Sequence, residues 1–369
     1  MNKLFRYFFV ITLGLTLISW GGTGHYIISN NATLSFNQEM QQLQAWGYYL
    51  AEHASDADNR KSYDSNEAPK HYIDIDNYSE FNSYGYIPQT LNEAIAVHGS
   101  YYVYDWGILP YATKTTYDSL RNNMAKQNWD RAKYFAADLG HYVADGHMPL
   151  HITKNYNGQY TGNDGIHSRY ENTMINAHSA NLTYSGDAVE QIGNVTQYIL
   201  NYLYANYKYV DSVIITDDYA KSVNSNYSST EYKDALWAKA GDFTVMLFKN
   251  ASHALAELIY SAWKEAGSPS LTGVSLIDTQ GNGIWLAPIY PNPVRKEAAI
   301  AFHLNTPTYI TISIHSINGT PVAMLANGNF TQGDYSVSWT PNNQPNGIYI
   351  VTLSAPSKKH LTKKLILSR

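Results

Sequence analysis

The sequence predicts an all-α domain followed by a small all-β sandwich, on the evidence of two periodicities and the stretch between them. Through most of residues 20–267 apolar residues recur at three- and four-residue spacing, the period of a helix with one buried stripe. From residue 289 onward apolar and polar residues alternate, as in strands with one buried face. Between them lies a linker over residues 268–288, opening with a Ser-, Gly- and Thr-rich run from Ser268 to Gly283. A chain of 369 residues outgrows the roughly 250–300 at which a single core stops growing, so at least two folding units are expected.

The chain opens MNKLFRYFFVITLGLTLIS, with Lys3 and Arg6 before an apolar run from Tyr7 to Ile18. That run is short of the roughly 20 residues a bilayer span needs, so residues 1–19 read as a signal peptide cut after Ser19. The mature protein is expected to have no transmembrane span. Export would permit disulfides, yet the chain has no cysteine; packing and metal must hold the fold, and zinc ligation cannot use thiolates.

Helical stripes follow in Met40 to Ala54, Trp129 to Ala144, Ala188 to Leu203 and Leu236 to Trp263, which together suggest a bundle. Asn155 to Gly165 and Tyr204 to Tyr227, rich in Asn, Tyr, Ser and Gly, read as loops. In the last part Ala299 to Leu304, Tyr309 to Ser316, Pro321 to Leu325, Tyr335 to Trp339 and Gly347 to Leu353 are β-branched or aromatic runs. Turn signals at Asn318-Gly319, Asn327-Gly328 and Asn346-Gly347 separate them with sandwich spacing. Nothing there has the look of catalysis. A formal net charge of -5 excludes a global basic footprint, so any hold on a polyanion must be local.

The chemistry is concentrated in the helical domain. In DLGHYVADGHMPLH, His141 and Asp145 stand four apart on a predicted helix, so both project from one face and can meet one ion. His151 follows where Pro149 ends that helix. GIHSRYEN repeats the spacing with His167 and Glu171. Imidazole with carboxylate and no thiolate suits zinc better than calcium or magnesium. A single pair of this kind is as often a satisfied core pair as a ligand pair; two matching pairs shift the balance to metal. His147, His53, His98, His178 and His253 read as ordinary or supporting histidines.

WGGTGH at Trp20 to His25, SDADNRK around Asp58, KHYIDID around His71, the His141, Asp145, His151 series and HSRYEN at His167 to Glu171 together resemble the zinc-dependent phospholipase C and S1/P1 nuclease superfamily. The resemblance spans the whole first domain and implies a phospholipase C/P1 nuclease-like helix bundle with three Zn2+. It implies that Asp58, His71, His141 and Asp145 hold one zinc, and that Asp145 bridges to a second held by Trp20 and His25. It places the third on His151, His167 and Glu171. In this family the Trp amine and carbonyl chelate, so signal cleavage before Trp20 would complete the site. Asp56 stays open as an alternative to Asp58, which is preferred as the second Asp of a DAD segment.

Such a site implies phosphate ester hydrolysis by metal-activated water, with Asp58 and Arg60 as the candidate catalytic residues. Arg60 is either a fork-shaped clamp on a phosphate oxygen or a solvated charge. Tyr72 and Asp74, beside His71, are either a nucleobase platform and its hydrogen-bond acceptor or packing and a histidine-orienting carboxylate. The closing Glu171 leans to a phospholipid substrate. The short interval from Trp20 to His25 leans to single-stranded nucleic acid or a 3'-nucleotide, and uncharged Thr23 disfavours a choline pocket. A non-enzymatic alternative is a surface zinc-binding or adhesion protein.

IYPNPV at Ile289 to Val294, NGIYIVTL at Asn346 to Leu353 and the ending KKLILSR resemble the C-terminal sorting domain of the type IX secretion system. That implies residues 289–369 engage this secretion machinery, giving a secreted or outer-membrane-surface protein. The alternative is a carbohydrate-binding or adhesion sandwich.

Overall fold

The computed structural model describes residues 21–270, 284–290, 293–304, 306–355 and 360–368. The expected signal peptide, Trp20, most of the expected linker and two residues of the IYPNPV motif lie outside the described residues. The chain divides into two compact units between Leu271 and Thr272.

The first unit is helical, as expected. Its spine is the helix Thr230–Glu265, capped by the Ser229 hydroxyl on the Tyr232 N–H. Against it pack Gly21–Ala32, Leu109–Ala125, Trp129–Asp145 and Val210–Val223. The Trp129–Asp145 helix buries Trp129, Ala132, Ala136, Leu139, Gly140 and Val143, the three-and-four stripe that makes it amphipathic. From Ala136 to Asp145 every residue is buried, so this half of the helix is enclosed on all sides and His141 and Asp145, on the face opposite the stripe, also point into the domain. Among the described residues no helix is long and apolar enough to cross a membrane.

Several elements differ from expectation. Met40 to Ala54 begins as the 3-10 helix Gln38–Trp46 and turns α only at Gly47–Glu52. Buried Met40, Leu43 and Trp46 recur strictly every third residue, which matches a helix of three residues per turn. Ala188 to Leu203 is helical only from Val195, capped by the Asn194 side chain. Before it, the N–H groups of Glu190 and Ile192 donate to Glu257 and Ser261 of the long helix instead of to helical carbonyls. The expected loop Tyr204 to Tyr227 contains the helix Val210–Val223. Val210, Val213, Ile214 and Ala220 form its stripe, but Thr216 and Asp217 are also buried there and break the apolar pattern.

The second unit is a β-sandwich of two antiparallel sheets. One has strand order β1-β2-β5 and the other β4-β3-β6-β7. The strands are β1 (Ile284–Tyr290), β2 (Ala298–Leu304), β3 (Thr308–Ser316), β4 (Pro321–Phe330), β5 (Gly333–Trp339), β6 (Gly347–Ser354) and β7 (His360–Leu367). Ile300, Phe302, Ile310, Ile312, Val351 and Leu365 meet between the sheets. β1 starts inside the expected linker, and β4 runs straight through Asn327-Gly328. There the Asn327 side chain accepts from Tyr309 and Thr311 across the ladder instead of making a turn.

Candidate metal centre

Seven short pieces of the helical domain deliver the polar residues. His25 comes from Gly21–Ala32, Asp58 from Asp56–Arg60 and His71 from the 3-10 turn Ala68–His71. His141 and Asp145 share one helix, His151 follows in Pro149–His151, and His167 and Glu171 sit where Ile166–Ser168 passes into a π turn, Arg169–Met174. Their ligand atoms form three groups able to hold a cation: His25, His141 and Asp145; Asp58, His71 and His141; His151, His167 and Glu171. Within each group the atoms lie within 4.8 Å of one another. Ile28, Ala144, Met148, Leu150, Ile166 and Tyr170, each close in sequence to one of the grouped residues, are buried in one apolar cluster.

The distances are those of acceptors converging on shared points. Nδ1 of His71 is 2.9 Å from Nε2 of His141, and both face Asp145 Oδ2, at 3.1 and 3.3 Å. Asp58 Oδ1 lies 3.5 Å from each of the same two nitrogens. The other Asp145 oxygen is 3.5 Å from His25 Nε2. In the remaining group His167 Nε2 is 2.7 Å and His151 Nε2 3.9 Å from Glu171 Oε2.

The outer ring nitrogens fix the tautomers. Nδ1 of His141, His151 and His167 face the carbonyls of Ala54, His71 and Tyr156 at 2.6, 2.6 and 3.0 Å. A carbonyl only accepts, so each Nδ1 carries the hydrogen and each Nε2 turns a lone pair inward. His71 is reversed, with Nε2 3.5 Å from Glu67 Oε1 and Nδ1 inward. The buried Nε2 atoms of His151 and of His167 each face the Glu171 carboxylate. An imidazole backed by an acceptor with its other nitrogen bare toward carboxylates is the arrangement of a metal ligand, and the donor set fits zinc.

Charge balance points the same way. Burial pushes the His141 imidazole down, yet Asp145 and Asp58 hold it well above its ordinary range. Burial likewise pushes the Asp145 carboxyl up, and His141 and His151 overcome it to hold it well below the carboxylate range. His25, fully buried and stacked 3.9 Å from the His141 ring, is pushed well down by burial and by His141. These carboxylates demand a positive charge at this point, as a proton or as a metal ion.

The remaining sequence candidates fall as follows. Asp56 pairs with His53 at 2.7 Å, away from the cluster that Asp58 joins; Asp58 also receives Lys61 at 2.6 Å. Arg60 is neither a free clamp nor a solvated charge. Its guanidinium is bound to Asp138 at 2.9 Å, Glu67 at 3.2 Å and the Tyr134 hydroxyl at 2.9 Å, which engages both terminal nitrogens. Tyr72 donates its hydroxyl to the Asp105 carbonyl, and burial with Asp74 nearby pushes it up to about 12. Asp74 is pushed up to about 7 by burial and the adjacent Asp76 and Asp105 carboxylates. The carboxylate placed against a histidine ring beside the cluster is Glu67, which also takes the Tyr142 hydroxyl and Lys70. His147 donates to the Val143 carbonyl and stacks on Tyr202, outside the three groups.

Glu67, Tyr142, Lys61 and the three backbone carbonyls were not singled out from sequence. Only Glu67 left a trace there, four residues before His71.

No curated protein sequence matches the chain. Among solved structures the chain is similar to an alpha toxin from Clostridium absonum, at 13% identity and a TM-score of 0.41, covering 95% of this chain and 98% of that one. It is also similar to Clostridium perfringens alpha-toxin from avian strain SWCP, at 12% identity and a TM-score of 0.39, covering 95% and 99%. Residues 288–368 match the family model of the secretion system C-terminal sorting domain. The chain therefore carries, after the helical domain that holds the cluster, a C-terminal sorting domain that addresses it to a secretion system.

Proposed function

We propose that the helical domain is a phosphate ester hydrolase working with three zinc ions, exported by type IX secretion after loss of residues 1–19. The observation that carries this reading is the set of inward-facing nitrogens of His71, His141, His151 and His167, each backed by a carbonyl or by Glu67, around Asp58, Asp145 and Glu171.

One imidazole nitrogen serves one ion, whereas a carboxylate serves two. Asp145, with one oxygen toward His25 and the other toward His71 and His141, would therefore serve both of the first two groups. Asp58, His71 and His141 complete one of these, and His25 with the terminal groups of Trp20 the other. His151, His167 and Glu171 hold the third. Zinc bound there acidifies water and neutralises phosphoryl charge. Asp58, Asp145 and Glu171 together cannot neutralise three divalent ions, so the loaded site keeps a net positive charge for an anionic ester.

A phospholipid is the favoured substrate. Tyr84, Tyr86, Tyr101 and Tyr102 are exposed. Tyr102 packs on Trp106, whose carbonyl takes the Asp74 N–H three residues from His71, so one aromatic pair suited to a lipid interface is tied to the segment that carries His71. Tyr72, by contrast, has its hydroxyl committed to the backbone. The test incubates zinc-loaded protein beginning at Trp20 with phosphatidylcholine vesicles and with a single-stranded oligonucleotide. Diacylglycerol release with intact oligonucleotide supports the lipid assignment; oligonucleotide cleavage alone reassigns the substrate to nucleic acid. Cleavage of neither, by a zinc-loaded protein that also leaves vesicles of other headgroups and a 3'-nucleotide intact, removes the hydrolase reading in favour of a zinc-binding surface protein.

A further inference from the structure

We propose that Arg169 is the positioning residue of the His151, His167 and Glu171 group, acting through its fork onto Asp217; the inference rests on the zinc reading above. Arg169 lies between the two ligands of HSRYEN, and its guanidinium points away from the cluster into the helical core.

Its partners account for the whole fork. Nε and Nη2 donate to the two Asp217 oxygens at 3.1 and 2.8 Å, Nη1 to the Asp164 carbonyl at 2.6 Å, and Nη2 also to the Asn163 carbonyl at 3.1 Å. Nε reaches the Tyr232 hydroxyl at 2.9 Å, and the Tyr227 ring covers the guanidinium at 4.2 Å. Asp217 is itself fully buried and also accepts from Asn163 and Tyr232. One side chain thereby ties the loop before His167 to the helices Val210–Val223 and Thr230–Glu265.

That loop contains Tyr156, whose carbonyl sets the His167 tautomer. Arg169 is also the first residue of the π turn Arg169–Met174, and a π turn is an uncommon, weakly bonded widening of a helix that needs outside support. Glu171 lies within this turn, with its Oε2 2.7 Å from His167 Nε2. Holding loop carbonyls and π turn with one planar cation fixes both ligands at once. A lysine, a single point donor, cannot reproduce the fork.

The experiment measures zinc per chain in the wild type, Arg169→Lys and Asp217→Asn during titration with a graded chelator, together with melting of the chelated proteins. The expected result is that one of the three ions leaves each variant at about 10- to 100-fold lower chelator strength. The other two should be held as in the wild type, and the chelated Arg169→Lys protein should remain folded. Release of all three ions in step with a lowered melting point of the metal-free protein, or no change in release, overturns the inference. If Arg169→Lys does not fold, Asp217→Asn decides by the same criterion. A wild type that takes up no zinc overturns the metal-centre reading itself, a result distinct from three ions held equally by wild type and variants.

Discussion

Nδ1 of His71 stands 2.9 Å from Nε2 of His141, while the outer nitrogen of His141 is bonded to the Ala54 carbonyl and that of His71 faces Glu67. Both inner nitrogens then present lone pairs across a buried gap, an arrangement that repels until a cation lies between them. His141→Ala should remove zinc from the group it shares with Asp58 and His71 while sparing His151, His167 and Glu171, and lower ester hydrolysis by more than about a hundredfold. Zinc analysis with circular dichroism checks it; full zinc content and activity in a folded variant would place the chemistry elsewhere.

Glu67 is the next link outward. It is buried, and it gathers Arg60, Lys70, the Tyr142 hydroxyl and the His71 ring, which together hold its carboxyl well below the usual range against the push of burial. Glu67→Gln keeps the volume but removes the charge that orients His71. Zinc affinity at the His71 group is expected to fall about 10- to 100-fold, with a stability loss of about 1–3 kcal/mol from the unmet donors. Isothermal titration with zinc and thermal melting separate the two effects; unchanged affinity would show that Glu67 only packs.

The ligand pairs were legible because four-residue spacing puts His141 with Asp145, and His167 with Glu171, on single helix faces. Glu67 with Tyr142 and Arg169 with Asp217 are partners 75 and 48 residues apart, a separation that no local period reports. Asp217 had a second effect. As a buried carboxylate on the inner face of Val210–Val223 it broke the apolar stripe and made a helix read as loop. The ion pairing of Arg60 was hidden for the same reason, since it depends on Asp138 arriving from another helix.

A pH test is available away from the metal ligands. His253 faces Glu257 at 3.3 Å, with Asp187, Tyr184 and Tyr198 around the pair. The bond to Glu257 raises His253 above its ordinary 6.5, so its stabilisation is complete below 6.5 and fades as pH rises through the raised value. Burial pushes Glu257 up, but His253 and Tyr198 hold it below its ordinary 4.5, so its share is complete above 4.5 and fades as pH falls through the lowered value. The melting difference between wild type and His253→Gln should therefore be largest between pH 4.5 and 6.5, at under about 1 kcal/mol for a partly exposed pair. A difference that does not vary with pH would rule out the ionic contribution.

Gly107 shows how backbone shape sets a ligand. Its φ is +86°, and an added Cβ would sit 2.1 Å from the Tyr72 carbonyl oxygen, which accepts the Leu109 N–H. The same turn grips the segment carrying His71 through Ile108 N–H to Pro69 and Asp74 N–H to Trp106. Gly85 is a matched control, with φ +79° and open space where a Cβ would lie. Gly85→Ala should cost only the left-handed strain, about 1 kcal/mol. Gly107→Ala must also push two backbones apart, so a further loss of about 1–3 kcal/mol is expected. Only Gly107→Ala should weaken zinc at the His71 group, because only there does the displaced backbone carry a ligand. Equal melting losses with zinc retained in both would show that His71 is held independently of this turn.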